Sequence, residues 1–348
     1  MKRNLYDYAR EQLSALLVLE GQKPYRATQL FKWIYQKNIT DFSLMSDIAQ
    51  NYREHLADNF CLTLPKIATM QKSADGTIKL LLELEDGAKI ETVLMRYNYG
   101  NVACVSSQVG CNMGCKFCAS GLLKKKRNLT PSEMTGQVLV LNQLLLLEEV
   151  PGRVSHVVVM GTGEPFDNYD HVMTFIQTIN DPHALAIGAR HITVSTCGIP
   201  DKIRLYGQSG LQINLAISLH APNDEIRNQI MPINQAYPLK DLMAAVQDYE
   251  KNAGRRVTFE YILLSGINDQ EEHADQLAKL IRPTFAYVNL IPYNEVDEHG
   301  FKRSNDRAVS KFFSRLKKRG VNVTIRREFG SDIDAACGQL RAKEDAKK

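Results

Sequence analysis

The sequence predicts an α/β protein built on a partial (β/α)6 barrel, preceded by a helical N-terminal module and a β ribbon. Three observations carry that expectation. From about residue 100 onward, short apolar runs alternate with helix-like segments, the rhythm of strand–helix units in a parallel sheet. Runs such as Val157-Val158-Val159 are apolar without alternation, as strands covered on both faces require. The first 95 or so residues lack this rhythm and read as helices followed by two strands around a turn at Glu85-Asp86-Gly87.

The elements follow in order. Residues 25–35 place Leu30, Phe31, Ile34 and Tyr35 on one helical face, and residues 44–60 read as one or two further helices. Residues 78–84 and 89–95 are the two strands of the ribbon. Barrel strands are expected at 102–106, 156–160, 192–196, 213–219, 257–264 and 287–291, with helices at 131–147, 169–179, 239–252 and 270–281. The helix at 131 has a marked start, with Thr130 as N-cap, Pro131 at the first helical position and Glu133 completing a capping box. A helix at 306–318 and a strand at 321–325 close the chain. The expected organisation is an accessory domain at 1–95, the barrel with a C-terminal loop at 96–340, and a charged tail at 341–348. In such a barrel the chemistry sits at the C-terminal ends of the strands.

Composition narrows the class. The chain has 348 residues, 44% hydrophobic and 24% charged, which excludes wholesale disorder. Against 43 Lys+Arg stand 39 Asp+Glu, a formal charge of +4 that does not announce nucleic acid on its own. Seven cysteines, an odd number, make no disulfide scaffold. No signal peptide follows Met1-Lys2-Arg3, so a cytoplasmic protein is expected, in which thiols serve as ligands or catalysts. The most apolar stretch, 138–147, is interrupted by Asn142 and Gln143 and falls short of the roughly 20 residues that span a bilayer. No membrane partner is expected.

Gly110-Cys111-Asn112-Met113-Gly114-Cys115-Lys116-Phe117-Cys118 places three thiols in C-x3-C-x2-C spacing just after the first barrel strand. Clustered thiols in such a chain point to soft-metal ligation. A structural zinc site with Cys104 as fourth ligand is one reading, and a zinc-stabilised RNA-binding module would follow from it. Structural zinc pairs its ligands two to four residues apart, however, and six residues separate Cys104 from Cys111. A 4Fe–4S cluster with one open iron fits a three-cysteine loop better. Met160-Gly161-Thr162-Gly163-Glu164-Pro165 closes the second barrel strand, where a glycine-rich turn lets a ligand approach backbone and Glu164 offers a carboxylate to a cationic amine. Ser195, Ser218-Leu219-His220 and Asn294 fall where barrel strand ends present ligands.

Taken together, the cysteine loop with an aromatic before its third cysteine resembles the radical S-adenosylmethionine (SAM) enzymes. The resemblance implies a radical SAM barrel of six βα units, with SAM chelating the open iron of the cluster. More narrowly, Cys104-Val105-Ser106-Ser107-Gln108-Val109-Gly110-Cys111, the segment from Gly330 to Leu340 around Cys337, Tyr25 to Leu30 and Arg127-Asn128-Leu129-Thr130 resemble the RlmN/Cfr family of RNA methyltransferases over nearly the whole chain.

Adenine C2 is an electron-poor carbon that cannot attack a methyl sulfonium, so a radical route is needed. By resemblance, Cys337 takes a methyl group from one SAM, a second SAM at the reduced cluster yields a 5′-deoxyadenosyl radical, and the methylene radical on Cys337 adds to the base, giving a protein–RNA adduct. Cys104 would resolve that adduct by forming a disulfide with Cys337, and Glu91 aligns with a glutamate that accepts the C2 proton. Gly163, Glu164, Ser195, Ser218, Leu219, His220 and Asn294 would contact SAM, two of which are used per turnover, and Cys111, Cys115 and Cys118 would hold the cluster. The implied substrates are adenine 2503 of 23S rRNA and adenine 37 of tRNAs, each presented out of its stack. Pro165 is the RlmN-type residue, whereas the branch that methylates C8 of the same rRNA adenine carries a small residue there; Thr162 replaces the family's more usual Met. The basic runs 124–127, 317–319 and 326–327 are candidates for RNA backbone contact. A monomer is expected, served by an electron donor such as flavodoxin with its reductase. Cys61 and Cys197 match no role and read as structural.

Overall fold

The computed structural model describes residues 2–148, 152–330 and 332–333. Cys337 and the tail at 341–348 lie outside the described residues.

The N-terminal module opens with a short strand β1 (Arg3–Asn4) that pairs in parallel with β2 (Phe60–Cys61), bringing the two ends of the module together. Between them run α1 (Arg10–Leu19), α2 (Tyr25–Phe31) and α3 (Gln50–Asn59). A wider turn at Lys32–Gln36 carries α2 onward. Leu30, Phe31, Ile34 and Tyr35 are all buried, as their spacing implies.

Ten strands then form one sheet. In chain order these are β3 (Lys66–Lys72), β4 (Ile78–Glu83), β5 (Lys89–Tyr97), β6 (Gly100–Cys104), β9 (Val154–Val159), β10 (Ile192–Thr196), β11 (Asn214–Ser218), β12 (Val257–Leu263), β13 (Tyr287–Pro292) and β14 (Asn322–Ile325). A separate antiparallel pair, β7 (Gln108–Val109) with β8 (Arg127–Asn128), brackets the cysteine loop. The order across the sheet is β14-β13-β12-β11-β10-β9-β6-β5-β4-β3. From β6 to β14 every neighbouring pair is parallel, while β3 to β6 are antiparallel. The ribbon is thus an extension of the barrel sheet through β5–β6 pairing, and residue 95 falls inside β5. Strand β3 carries no apolar alternation that would announce it, being exposed or half-exposed along its length.

The outer layer comprises α4 (Pro131–Leu147), α5 (Tyr169–Asn180), α6 (Pro200–Gly207), α7 (Asp224–Ile230), α8 (Leu239–Ala253), α9 (Glu271–Ile281) and α10 (Asp306–Lys318). Thr130 caps α4 as expected, its hydroxyl accepting from Glu133 N while Glu133 accepts from Thr130 N. This helix is buried on nearly every side because the N-terminal module lies over it, with Asp7 capping Ser132 N at 2.9 Å. Arg10 joins Asp181 at the end of α5 at 2.7 Å, so the module is fixed to two barrel helices. The short helices α6 and α7 were not expected, since seven or eight residues show too little of a period to read. No described helix is long and apolar enough to cross a membrane.

Candidate active site

Strand β6 ends at Cys104, two residues earlier than its apolar run suggests, because the following backbone turns to new partners. Ser106 N donates to Gln137 Oε1 of α4 at 2.8 Å, and Ser107 N donates to the Thr162 carbonyl at 2.9 Å. That deflection starts the cysteine loop. Gly110 sits at φ +81°, and a Cβ there would lie 2.2 Å from the Lys124 carbonyl oxygen, so only glycine lets the return strand close on the loop. Cys111 N bonds Leu123 O and Lys116 N bonds Ile230 O, at 2.8 and 2.9 Å, pinning the loop to its own exit and to α7.

Cys111, Cys115 and Cys118 line one cavity of about 250 Å³ together with Gly163, Glu164, Ser195, Ser218 and His220. Burial pushes the Cys111 thiol up to about 11 and the Cys115 thiol higher still. Three sulfurs around one cavity are the donor set that suits an iron–sulfur cluster, whose ligands are thiolates. Among the described residues, no three His, Cys, Asp or Glu side chains gather closely enough to hold a single ion. Cys104 stands elsewhere, in a cluster with Val93, Met95 and Val102, against which Phe329 packs. The four-cysteine zinc arrangement is therefore not formed.

The glycine-rich turn serves a different neighbour from the one its composition suggests. A Cβ on Gly163, at φ +118°, would meet Gln108 Cβ and Ser107 Oγ at 2.7 Å, so the close approach there is between two stretches of this chain. Glu164 is 3% exposed and its carboxylate accepts three hydrogen bonds: Phe166 N at 2.9 Å and Thr196 Oγ1 at 2.6 Å on Oε1, Cys197 N at 2.8 Å on Oε2. Burial raises its carboxyl above the usual range, against those donors. Glu164 lines the cavity wall, the Cys197 thiol also hydrogen-bonds its carboxylate, and no cation of the chain pairs with it among the described residues.

His220 has the left-handed φ of 57°, and its Nδ1 accepts from Ile262 N at 3.1 Å. Burial lowers its imidazole to about 3, so the ring is neutral and Nε2 carries the proton. The Phe117 ring packs edge-on against it at 4.8 Å. Leu219 lies fully buried off the cavity wall. Asn294 lines a second cavity of about 240 Å³, which shares Phe117, Cys118, Ile262, Ile291 and Arg326 with the first. Val93 and Met95 form part of that second cavity's wall. Glu91 is on the same face of β5 but not in the wall, its carboxylate held 3.0 Å from Lys79 Nζ.

Some participants carried no expectation. Glu260, which accepts from Asn289 at 3.0 Å, lines the first cavity, and burial raises its carboxyl. A glutamate inside the apolar run Val257-Thr258-Phe259-Glu260-Tyr261-Ile262 was a legible signal. Cys197 also lines the cavity, and the fully buried Arg227 donates to its carbonyl at 2.6 Å. Nothing in the short helix α7 marks Arg227 out. In the basic run 124–127, Lys125 pairs with Asp167 at 2.6 Å and Arg127 with Glu133 and Asp86 at 2.7 and 2.8 Å, leaving Lys124 and Lys126 as its exposed cations.

Known proteins agree with this fold. Residues 3–62 match the family described as the ribosomal RNA large subunit methyltransferase N-terminal domain, and residues 105–278 match the radical SAM superfamily. A relative from Enterococcus faecalis, named Probable dual-specificity RNA methyltransferase RlmN, is 54% identical over 100% of this chain and 98% of its own. One of the same name from Geobacillus kaustophilus is 54% identical over 98% of this chain and 93% of its own. A crystal structure of a radical SAM methyltransferase from Sphaerobacter thermophilus superposes with a TM-score of 0.90 at 40% identity, covering 97% of this chain and 98% of that one. The superfamily carries with it SAM and a 4Fe–4S cluster, for which the cavity of three thiols and a buried carboxylate is the fitting place. With the N-terminal module, the barrel and full-length relatives all in agreement, the chain belongs to the RlmN family of radical SAM methyltransferases.

Proposed function

We propose that this chain is a dual-specificity RNA methyltransferase that places a methyl group on C2 of adenine 2503 in 23S rRNA and of adenine 37 in tRNAs. The observation that carries the reading is the junction of two cavities. The first gathers Cys111, Cys115, Cys118 and Glu164; the second shares Phe117 and Cys118 with it and is partly walled by Phe329. Phe329 also packs on the cluster containing Cys104 and stands eight residues before Cys337 in the sequence. Eight residues reach up to roughly 26 Å, ample for a sulfur carried on that segment to meet Cys104.

Cys111, Cys115 and Cys118 would hold the cluster through three thiolates. When bound there and reduced, the cluster would supply the radical chemistry that an electron-poor ring carbon needs. Glu164 would take the SAM ammonium on its buried carboxylate, with Gly163, Ser195, Ser218, His220 and Asn294 around the rest, and Leu219 setting the strand end behind them. Cys337 would carry the methyl group to the base, Cys104 would release the product by forming a disulfide with it, and Glu91 would accept the C2 proton. Lys124 and Lys126 supply positive charge beside the loop for RNA phosphates. The fuller setting is a cytoplasmic monomer reduced by a flavodoxin-type donor.

The test is methylation of separate 23S rRNA and tRNA transcripts by the anaerobically reconstituted chain, read by mass spectrometry of digested nucleosides. 2-Methyladenosine in both is expected. 8-Methyladenosine would move the chain to the C8 branch, and no methylated adenosine from a protein holding four irons would overturn the reading.

A further inference from the structure

Arg227 is 0% exposed, yet among the described residues no carboxylate pairs with it. Its donors go to neutral oxygens: Leu219 O at 3.1 Å, Asn234 Oδ1 at 2.9 Å, Cys197 O at 2.6 Å and Ser218 O at 3.3 Å. Asp224 makes no hydrogen bond to it among the described residues: it accepts from Asn234 Nδ2 at 2.9 Å and acts on the guanidinium through its field. A buried guanidinium satisfied by dipoles alone is costly unless an anion lies nearby.

The candidate anion is the three-cysteine site. Ile230 and Met231, one helical turn on from Arg227, form a buried cluster with Cys197, against which Met113, Cys115 and Phe117 pack. The Lys116–Ile230 backbone bond ties the cysteine loop to the same helix. With its donors engaged, Arg227 does not line the cavity and can act on it only through its field.

We propose that Arg227 is the countercharge of the three-cysteine site and biases the cluster there toward its reduced state. The inference rests on the cluster assignment made above. A 4Fe–4S core held by three thiolates carries net negative charge, and one electron from a low-potential one-electron donor makes it more negative by one unit. No bond forms or breaks in that step and no proton moves. At an effective dielectric of about 20, a fixed positive charge within about 12 Å favours the reduced form by about tenfold or more. Arg227 is thus a positioning charge that touches neither SAM nor RNA.

The test is an EPR-monitored redox titration of the reconstituted full chain without SAM, beside iron and sulfide analysis. At the potential that half-reduces the wild type, Arg227→Met is expected to show about a tenfold lower reduced-to-oxidised ratio, and Arg227→Lys a ratio within about threefold of wild type. Asp224→Asn keeps the Oδ1 acceptor and removes the opposing charge, so its ratio is expected to rise. Arg227→Met loaded with four irons at the wild-type ratio would overturn the proposal. If that variant does not load, an unchanged ratio in Asp224→Asn overturns it instead. A wild-type chain that binds no iron and sulfide would overturn the cluster assignment too, and shows itself before any titration begins.

Discussion

Glu164 and Arg227 grip opposite ends of one residue: Cys197 donates its N–H to Glu164 Oε2 at 2.8 Å and accepts from Arg227 Nη2 at 2.6 Å through its carbonyl. A buried carboxylate and a buried guanidinium are thereby held apart by one amino-acid residue, each aligned with the dipoles between them. Their separation leaves the carboxylate without a paired cation of the chain among the described residues. Glu164→Gln keeps an acceptor for the strand-end donors but loses the charge, and SAM affinity should fall about 10- to 100-fold. Equilibrium dialysis of SAM against cluster-loaded protein measures it, and undiminished affinity would remove Glu164 from the SAM site.

Lys79, 0% exposed, and Glu91, 4% exposed, form an ion pair inside the sheet. Removing one partner strands the other, so Lys79→Met should cost about 3–5 kcal/mol in urea unfolding, whereas Lys79→Met with Glu91→Leu should recover most of that loss. A single variant no less stable than wild type would show that water reaches the pair.

Asp75 and Asp332 fasten the segment beyond β14 to the turn between β3 and β4. Gly330 N donates to Asp75 Oδ2 at 2.9 Å, Ala74 N donates to Asp332 at 3.0 Å, and Ser73 Oγ bonds Asp332 as well. Burial works to raise the Asp75 carboxyl, but the Gly330 and Thr77 donors outweigh it and hold it at about 2. For Asp332 the Ser73 and Ala74 donors pull the carboxyl down. Groups with depressed folded values stabilise above their unfolded value, near 3.9, and lose that contribution as pH falls through the folded value. The fastening should hold at pH 5 and loosen between about pH 4 and 2. Hydrogen exchange of amide 330 across that range checks it; Asp75→Asn should remove most of the pH dependence.

Cys111→Ala should abolish cluster loading, whereas Cys104→Ala, in a separate side-chain cluster, should retain four irons while accumulating a covalent protein–RNA species. Iron analysis and denaturing gels of reaction mixtures separate the two. Iron loss in Cys104→Ala would place that thiol among the ligands.

The cysteine loop, the capped helix α4 and the parallel order of the barrel were legible in the chain because each rests on local spacing or period. Strand β3 was not, since its side chains face water and carry no alternation. The role of the turn at 161–163 was half legible: glycine marked a close approach, but which backbone came close depends on pairing across 56 residues, as between Glu164 N and Gln108 Oε1. Arg227 could not be found from local pattern at all. Its meaning lies in the carbonyls of Cys197, Ser218 and Leu219, which converge only when two strand ends meet one short helix.

The fastening of Gly330 to Asp75 joins residues 255 positions apart. A chain synthesised from its N-terminus displays the turn at 73–77 long before residue 330 leaves the ribosome. The barrel strands can pair in sequence as they emerge, each with a neighbour already in place, but this contact waits for the segment beyond β14 and closes a loop of more than 250 residues. The enzyme is therefore assembled last at the segment that leads to Cys337. On the roles proposed above for the cysteine loop and Cys337, a nascent chain with the loop finished and no C-terminal segment would bind cofactors without yet being able to mark RNA.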